Sequence, residues 1–179
     1  TLPEKYHGRL FGIEPLQGQI VQSDIRPDTT TFQTKDIDRP IKCNDQWFRP
    51  VDIKVGPDGA IYFCDMYEQR IDHASHYAGR VTPETGRVYR VTATGGTKNP
   101  AFDYGTLSTQ SLVTILKHPN KWHRQTALRI LADRQDRSAL PVLRQLLRET
   151  DGQLALEALW ALNLTGGLNN EVALELLDH

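Results

Sequence analysis

A chain of 179 residues, 39% hydrophobic and 24% charged, suffices for one ordinary globular domain or two small ones. Its formal net charge of −1 provides no global basic field, which disfavours nucleic acid as a partner, and no apolar run of about 18 residues is present to span a bilayer. Two cysteines, Cys43 and Cys64, are too few for a disulfide scaffold and lack zinc-type spacing.

The N-terminus, Thr1-Leu2-Pro3-Glu4-Lys5, has neither a signal-peptide layout nor an initiator Met, so a piece of a longer protein is expected. Strand-like runs follow, broken by Pro, Gly and Asp: Arg9 to Glu14, Gln19 to Ile25, Thr30 to Ile37, Val51 to Val55, Ala60 to Met66 and Arg87 to Thr92. The clearest is a hairpin in which Val51, Ile53 and Val55 alternate with Asp52 and Lys54, and Ile61 and Phe63 alternate with Tyr62 and Cys64. Between them Pro57-Asp58-Gly59 supplies a preset φ and then a residue free to take φ > 0. Gly8 to Glu14 matches Gly59 to Asp65 at an offset of 51, and Gly18 to Gln22 matches Gly86 to Arg90 at an offset of 68. The longer offset reflects an insertion carrying His73 and His76. Such a repeated four-stranded unit predicts a partial β-propeller, the first blade lacking its innermost strand and the second its outermost.

Gly95-Gly96-Thr97-Lys98-Asn99-Pro100 reads as a linker, and helical periodicity takes over beyond Tyr104. An offset of 31 aligns Leu112 with Leu143, Leu116 with Leu147, Ala127-Leu128 with Ala158-Leu159 and Leu131 with Leu162. Two helix pairs are predicted, Thr109 to His118 with Lys121 to Asp133 and Ala139 to Glu149 with Gln153 to Leu164, followed by a third first-helix from about Asn170. Ser108, Asn120, Ser138 and Asp151 are the expected caps. Trp122 and Trp160 are expected in the helical core. The fold class is α+β and multi-domain: a partial antiparallel propeller at 1–95, a linker at 96–107 and a HEAT-type α-solenoid at 108–179.

Several motifs recur in this order: Trp47-Phe48-Arg49-Pro50-Val51-Asp52, Gly56-Pro57-Asp58-Gly59-Ala60, Asp65-Met66-Tyr67, Gly86-Arg87-Val88-Tyr89-Arg90-Val91, His118-Pro119-Asn120-Lys121-Trp122 and Ala158-Leu159-Trp160-Ala161-Leu162. Together, over about Tyr6 to Leu177, they resemble the bacterial membrane-bound dehydrogenase family, which is similar to sorbosone and soluble glucose dehydrogenases. The resemblance implies a six-bladed quinoprotein-like propeller joined to HEAT repeats, often with a c-type haem domain; no Cys-x-x-Cys-His occurs in this chain. It further implies a periplasmic or extracellular location, pyrroloquinoline quinone and calcium as cofactors in the parent, and a sugar or polyol substrate.

In a propeller, residues just before Val51 and just after Phe63 meet at one rim, which collects Trp47, Arg49, Asp65, Tyr67, His73 and His76. By resemblance, Arg49, Trp47 and Tyr67 are candidates to bind the quinone, Asp65 to bind the metal, and His73, His76 and Asp65 to serve catalysis. Plainer readings stand beside these. Arg49 can hold the Asp65 carboxylate as a structural pair, Trp47 and Tyr67 can pack a blade interface, and His73 and His76 can be solvated loop histidines in an insertion without convincing helical periodicity. Cys43 and Cys64 lie near the same rim, either as a disulfide or as a buried strand thiol and an unrelated loop thiol. Two functions follow: part of a quinoprotein-like oxidoreductase acting on a sugar or polyol, the segment itself inactive, or a non-catalytic scaffold binding protein partners through propeller and HEAT groove.

Overall fold

The computed structural model describes residues 2–70, 72–79, 81–95 and 102–178. It divides into two compact units, Thr1–Lys98 and Asn99–His179.

The first unit contains β1 (Leu10–Glu14), β2 (Gln19–Asp28), β3 (Thr31–Lys42), β4 (Pro50–Val55), β5 (Ile61–Asp65), the short helix α1 (His73–Tyr77) and β6 (Arg87–Val91). Two three-stranded antiparallel sheets result, ordered β1-β2-β3 and β4-β5-β6; they form no closed barrel or propeller. The internal repeat appears directly in the pairing register. Leu10 opposite Ser23 becomes Ile61 opposite Val91 when the offsets of 51 and 68 are applied, and Glu14 opposite Gln19 becomes Asp65 opposite Arg87. β1-β2 and β5-β6 are therefore equivalent pairs. Among the described residues the edges of β1, β3, β4 and β6 take no strand partner.

The turn between β4 and β5 shows why its sequence is needed. Gly59 donates its N–H to the Gly56 carbonyl at 3.0 Å and takes φ +71°, where an L side chain is strained. Buried Asp58 caps the turn, accepting the Ala60 N–H at 3.0 Å and the Arg90 Nε at 2.7 Å, and so ties the hairpin to β6. Alternation holds on β5, where Ile61 and Phe63 are buried and Tyr62 and Cys64 half-buried. It fails on β4. A bulge at Val51 shifts the register between Pro50 and Asp52, and Val51 and Val55 stand exposed instead of facing inward. The unit's core is small: Ile20, Phe48 and Phe63, flanked by Phe11, Ile13, Ile41, Ile53 and Val91 from both sheets.

The expected linker falls partly outside the described residues. From Phe102 onward the second unit opens with a turn at Tyr104–Thr106 capped by the Asp103 carboxylate. Helices α2 (Thr109–Ile115), α3 (Lys121–Arg134), α4 (Leu140–Glu149), α5 (Gly152–Leu164) and α6 (Asn170–Glu175) follow. The 31-residue offset maps buried onto buried: Leu112 and Leu143, Leu116 and Leu147, Ala127 and Ala158, Leu131 and Leu162 all lie in one core. Ser108 and Asn120 cap α2 and α3 as expected. Two other expected caps do not form. Asp136 rather than Ser138 starts the turn before α4 and accepts the Ser138 N–H, and Asp151 precedes α5 without a side-chain cap.

Candidate functional sites

The loop entering β4 and the loop leaving β5 meet at one end of the second sheet, and Asp65 joins them. Its Oδ1 accepts the backbone N–H of Arg49 at 2.8 Å and of Tyr67 at 2.9 Å, while the Met66 N–H reaches the Arg49 carbonyl at 2.9 Å. Sharing one oxygen between two amides lets the chain turn sharply, and Tyr67 takes φ +50°. The Arg49 guanidinium does not touch the carboxylate. Its Nη1 donates to the Phe48 carbonyl at 3.0 Å and its Nη2 to the Gln69 carbonyl at 2.9 Å, so the fork clamps the two loops. Asp65 is 2% exposed, and its Oδ2 is buried without a hydrogen-bond partner.

Trp47 and Tyr67 pack with ring centroids 5.7 Å apart and planes tilted by 40°. Asp45 serves both, accepting the Trp47 N–H at 2.9 Å and the Tyr67 hydroxyl at 3.0 Å. The bond to that carboxylate lifts the Tyr67 hydroxyl above the ordinary tyrosine range; burial adds to the rise, and the Arg87 guanidinium, 3.8 Å from the ring centroid, opposes it. Beside this pair lies a cleft of about 470 Å³ lined by Trp47, Glu68, Gln69, Arg70, Asp72, Ala74, Val81 and Thr82. Glu68 is 8% exposed and accepts the Thr82 N–H at 2.5 Å. Neither Glu68 nor Asp45 stood out in the sequence, because a lone acid in a loop carries no periodic signal.

His73 and His76 are placed on α1, where a loop was expected. Both are exposed; His73 stacks on Tyr77 at 6.2 Å between centroids and His76 meets it edge-on at 5.7 Å, and neither lines the cleft, to which α1 contributes Ala74. Cys43 and Cys64 are free thiols, one exposed and one half-buried, so no disulfide ties the rim. The fork expected to neutralise cofactor carboxylates is spent on backbone carbonyls, and among the described residues no three His, Cys, Asp or Glu side chains converge as a metal donor set.

The second unit offers a different surface. A valley of about 540 Å³ runs between α3 and α5, lined by Gln125, Leu128, Arg129, Trp160, Asn163 and Leu164. Trp160, expected in the core, is 40% exposed there, and Trp122 is half-buried against Phe102 and Tyr104. Among the described residues no helix is long and apolar enough to cross a membrane.

Comparison with known families assigns both halves. Residues 1–95 match the model described as a domain of unknown function, DUF7133. The chain belongs to that family. Residues 109–179 match HEAT repeats, which agrees with the 31-residue register of buried leucines. No curated protein and no solved structure matches the chain. The DUF7133 match covers both sheets and the Asp65 junction, and the HEAT match covers the valley.

Proposed function

We propose that this chain is a protein-interaction scaffold in which the HEAT repeats carry the binding surface. The observation that carries this reading is the row Leu156, Trp160 and Leu164, which are 44%, 40% and 42% exposed along one face of α5. HEAT repeats commonly present such second-helix faces to other proteins. The polar rim of the first unit, by contrast, is engaged internally: Arg49 by two carbonyls, Asp65 Oδ1 by two amides and Tyr67 by Asp45. Selection of phage-displayed random peptides of about 16 residues, roughly four helical turns, against the full chain tests it. Enriched peptides that bind saturably are the expected result, and failure to enrich any sequence over the starting library overturns the reading.

A second reading is favoured by one observation, the buried and unpartnered Asp65 Oδ2 near a cleft that also holds Glu68. In this reading the two sheets are the last one to two blades of a quinoprotein-like propeller, completed by strands outside this chain, in a periplasmic or extracellular oxidoreductase acting on a sugar or polyol. Asp65 then contributes to a calcium site, and pyrroloquinoline quinone binds against Trp47 and Tyr67 with groups supplied from other blades. Titration of the full chain with pyrroloquinoline quinone and calcium, followed by tryptophan fluorescence, separates the two. Saturable quenching that requires calcium favours the oxidoreductase, and no saturable change with either ligand favours the scaffold.

A further inference from the structure

The 31-residue repeat allows each exposed position of α5 to be compared with its counterpart on α3. Gln125, Arg129 and Asp133 are exposed on α3, as a solvent-facing row should be; one repeat on, the same positions are Leu156, Trp160 and Leu164. The other side of α5 is already buried through Ala155, Glu157, Ala158, Ala161 and Leu162. Apart from Glu157, whose carboxylate is paired with Arg124, the helix is thus apolar on both faces, a composition suited to burial all round, with one face uncovered. The valley lies on the flank of α5 that faces α3. A following repeat stacks on the opposite flank and leaves the valley open.

From this placement we infer that the valley between α3 and α5 receives an amphipathic helix from a partner protein, with apolar residues on Trp160 and Leu164 and an acidic residue opposite Arg129. The apolar floor of Leu128, Trp160 and Leu164 accepts side chains at helical i, i+4 spacing. Charge sets the flank. Arg129 is exposed on the valley wall and unpaired among the described residues, so a facing carboxylate gains a cation without displacing an internal partner. Gln125 and Asn163 add neutral amides along the same walls. Tryptophan beside arginine at the centre of a groove is the composition that concentrates binding energy at interfaces.

This inference rests on the scaffold reading, and its test separates the two. The peptides enriched by the selection described above are synthesised and their affinities measured for the full chain and for Trp160→Ala, Leu164→Ser and Arg129→Glu, each first checked for unchanged helical circular dichroism. Because Trp160 and Leu164 are substantially exposed, these variants are expected to fold. Enriched peptides should pair large apolar residues three or four apart with at least one Asp or Glu. Each variant should weaken binding by about tenfold or more, and replacing the peptide acid with Lys should restore binding to Arg129→Glu. Peptides that bind all three variants as tightly as the parent overturn the inference while leaving the scaffold reading in place. So does loss in Trp160→Ala and Leu164→Ser with none in Arg129→Glu, since no acid is then being read. A sedimenting dimer that Trp160→Ala abolishes also overturns it, assigning the valley to a second copy of this chain.

Discussion

Replacing Arg124 by Met should strand a charge inside the second unit. Arg124 Nε reaches Glu157 Oε1 at 2.7 Å, with side-chain exposures of 13% and 0%, and Gln153 Nε2 donates to the same oxygen at 2.8 Å. Glu157 Oε2 is already buried without a partner, so Arg124 supplies the ionic compensation for a carboxylate cut off from water. Arg124 also closes the α2–α3 connection, its Nη1 donating to the carbonyls of His118 at 2.8 Å and Pro119 at 2.9 Å. Removing one partner of a buried pair costs about 3–5 kcal/mol. Against the roughly 4–12 kcal/mol expected of a unit of about 80 residues, that is a large fraction. The helical circular-dichroism transition should move down by about 15 °C or more. The double variant Arg124→Met/Glu157→Leu removes the stranded charge and retains the loss of the two carbonyl bonds and of the Gln153 bond to Glu157, about 1–4 kcal/mol together. It should therefore be more stable than the single variant. A double variant no more stable than Arg124→Met would refute the buried-charge reasoning and leave simple loss of contacts as the cause.

Leu131→Ala should cost about 2–5 kcal/mol in urea unfolding, because Leu131 is 1% exposed and shares a core with Leu162 at 0%. The exposed Leu156→Ala should change little, and equal effects of the two would show that the repeat register does not govern packing. Asp58 makes the β unit sensitive to acid. Burial opposes its ionisation, but the Ala60 N–H and the Arg90 guanidinium outweigh it and hold the carboxyl below the ordinary aspartate range. Its folded value being the lower one, the stabilisation is fully present above the unfolded value of about 3.9 and is lost as pH falls from there through the depressed value. Asp58→Asn should flatten that acid limb of the β unit's unfolding midpoint; an unchanged limb would assign it to other carboxylates.

Periodicity and repetition determined much of this protein before any coordinates. Strand alternation with two offsets was enough to make β1-β2 equivalent to β5-β6, down to which residues oppose each other. Helical spacing was enough to place Leu131 and Leu162 inside. These features are local or repeated, so each residue's neighbours are implied by its own spacing. Tertiary structure decided what depends on partners far along the chain. The Arg49 fork closes on Gln69, 20 residues on, rather than on Asp65, and Asp65 spends one oxygen on the amides of Arg49 and Tyr67 while the other is left without a partner. The same holds where a periodic position meets no neighbour. Val51 turns outward at a bulge, and Trp160 faces an open valley. An apolar stripe marks a face suited to burial, but whether that face is covered depends on whether another surface lies against it.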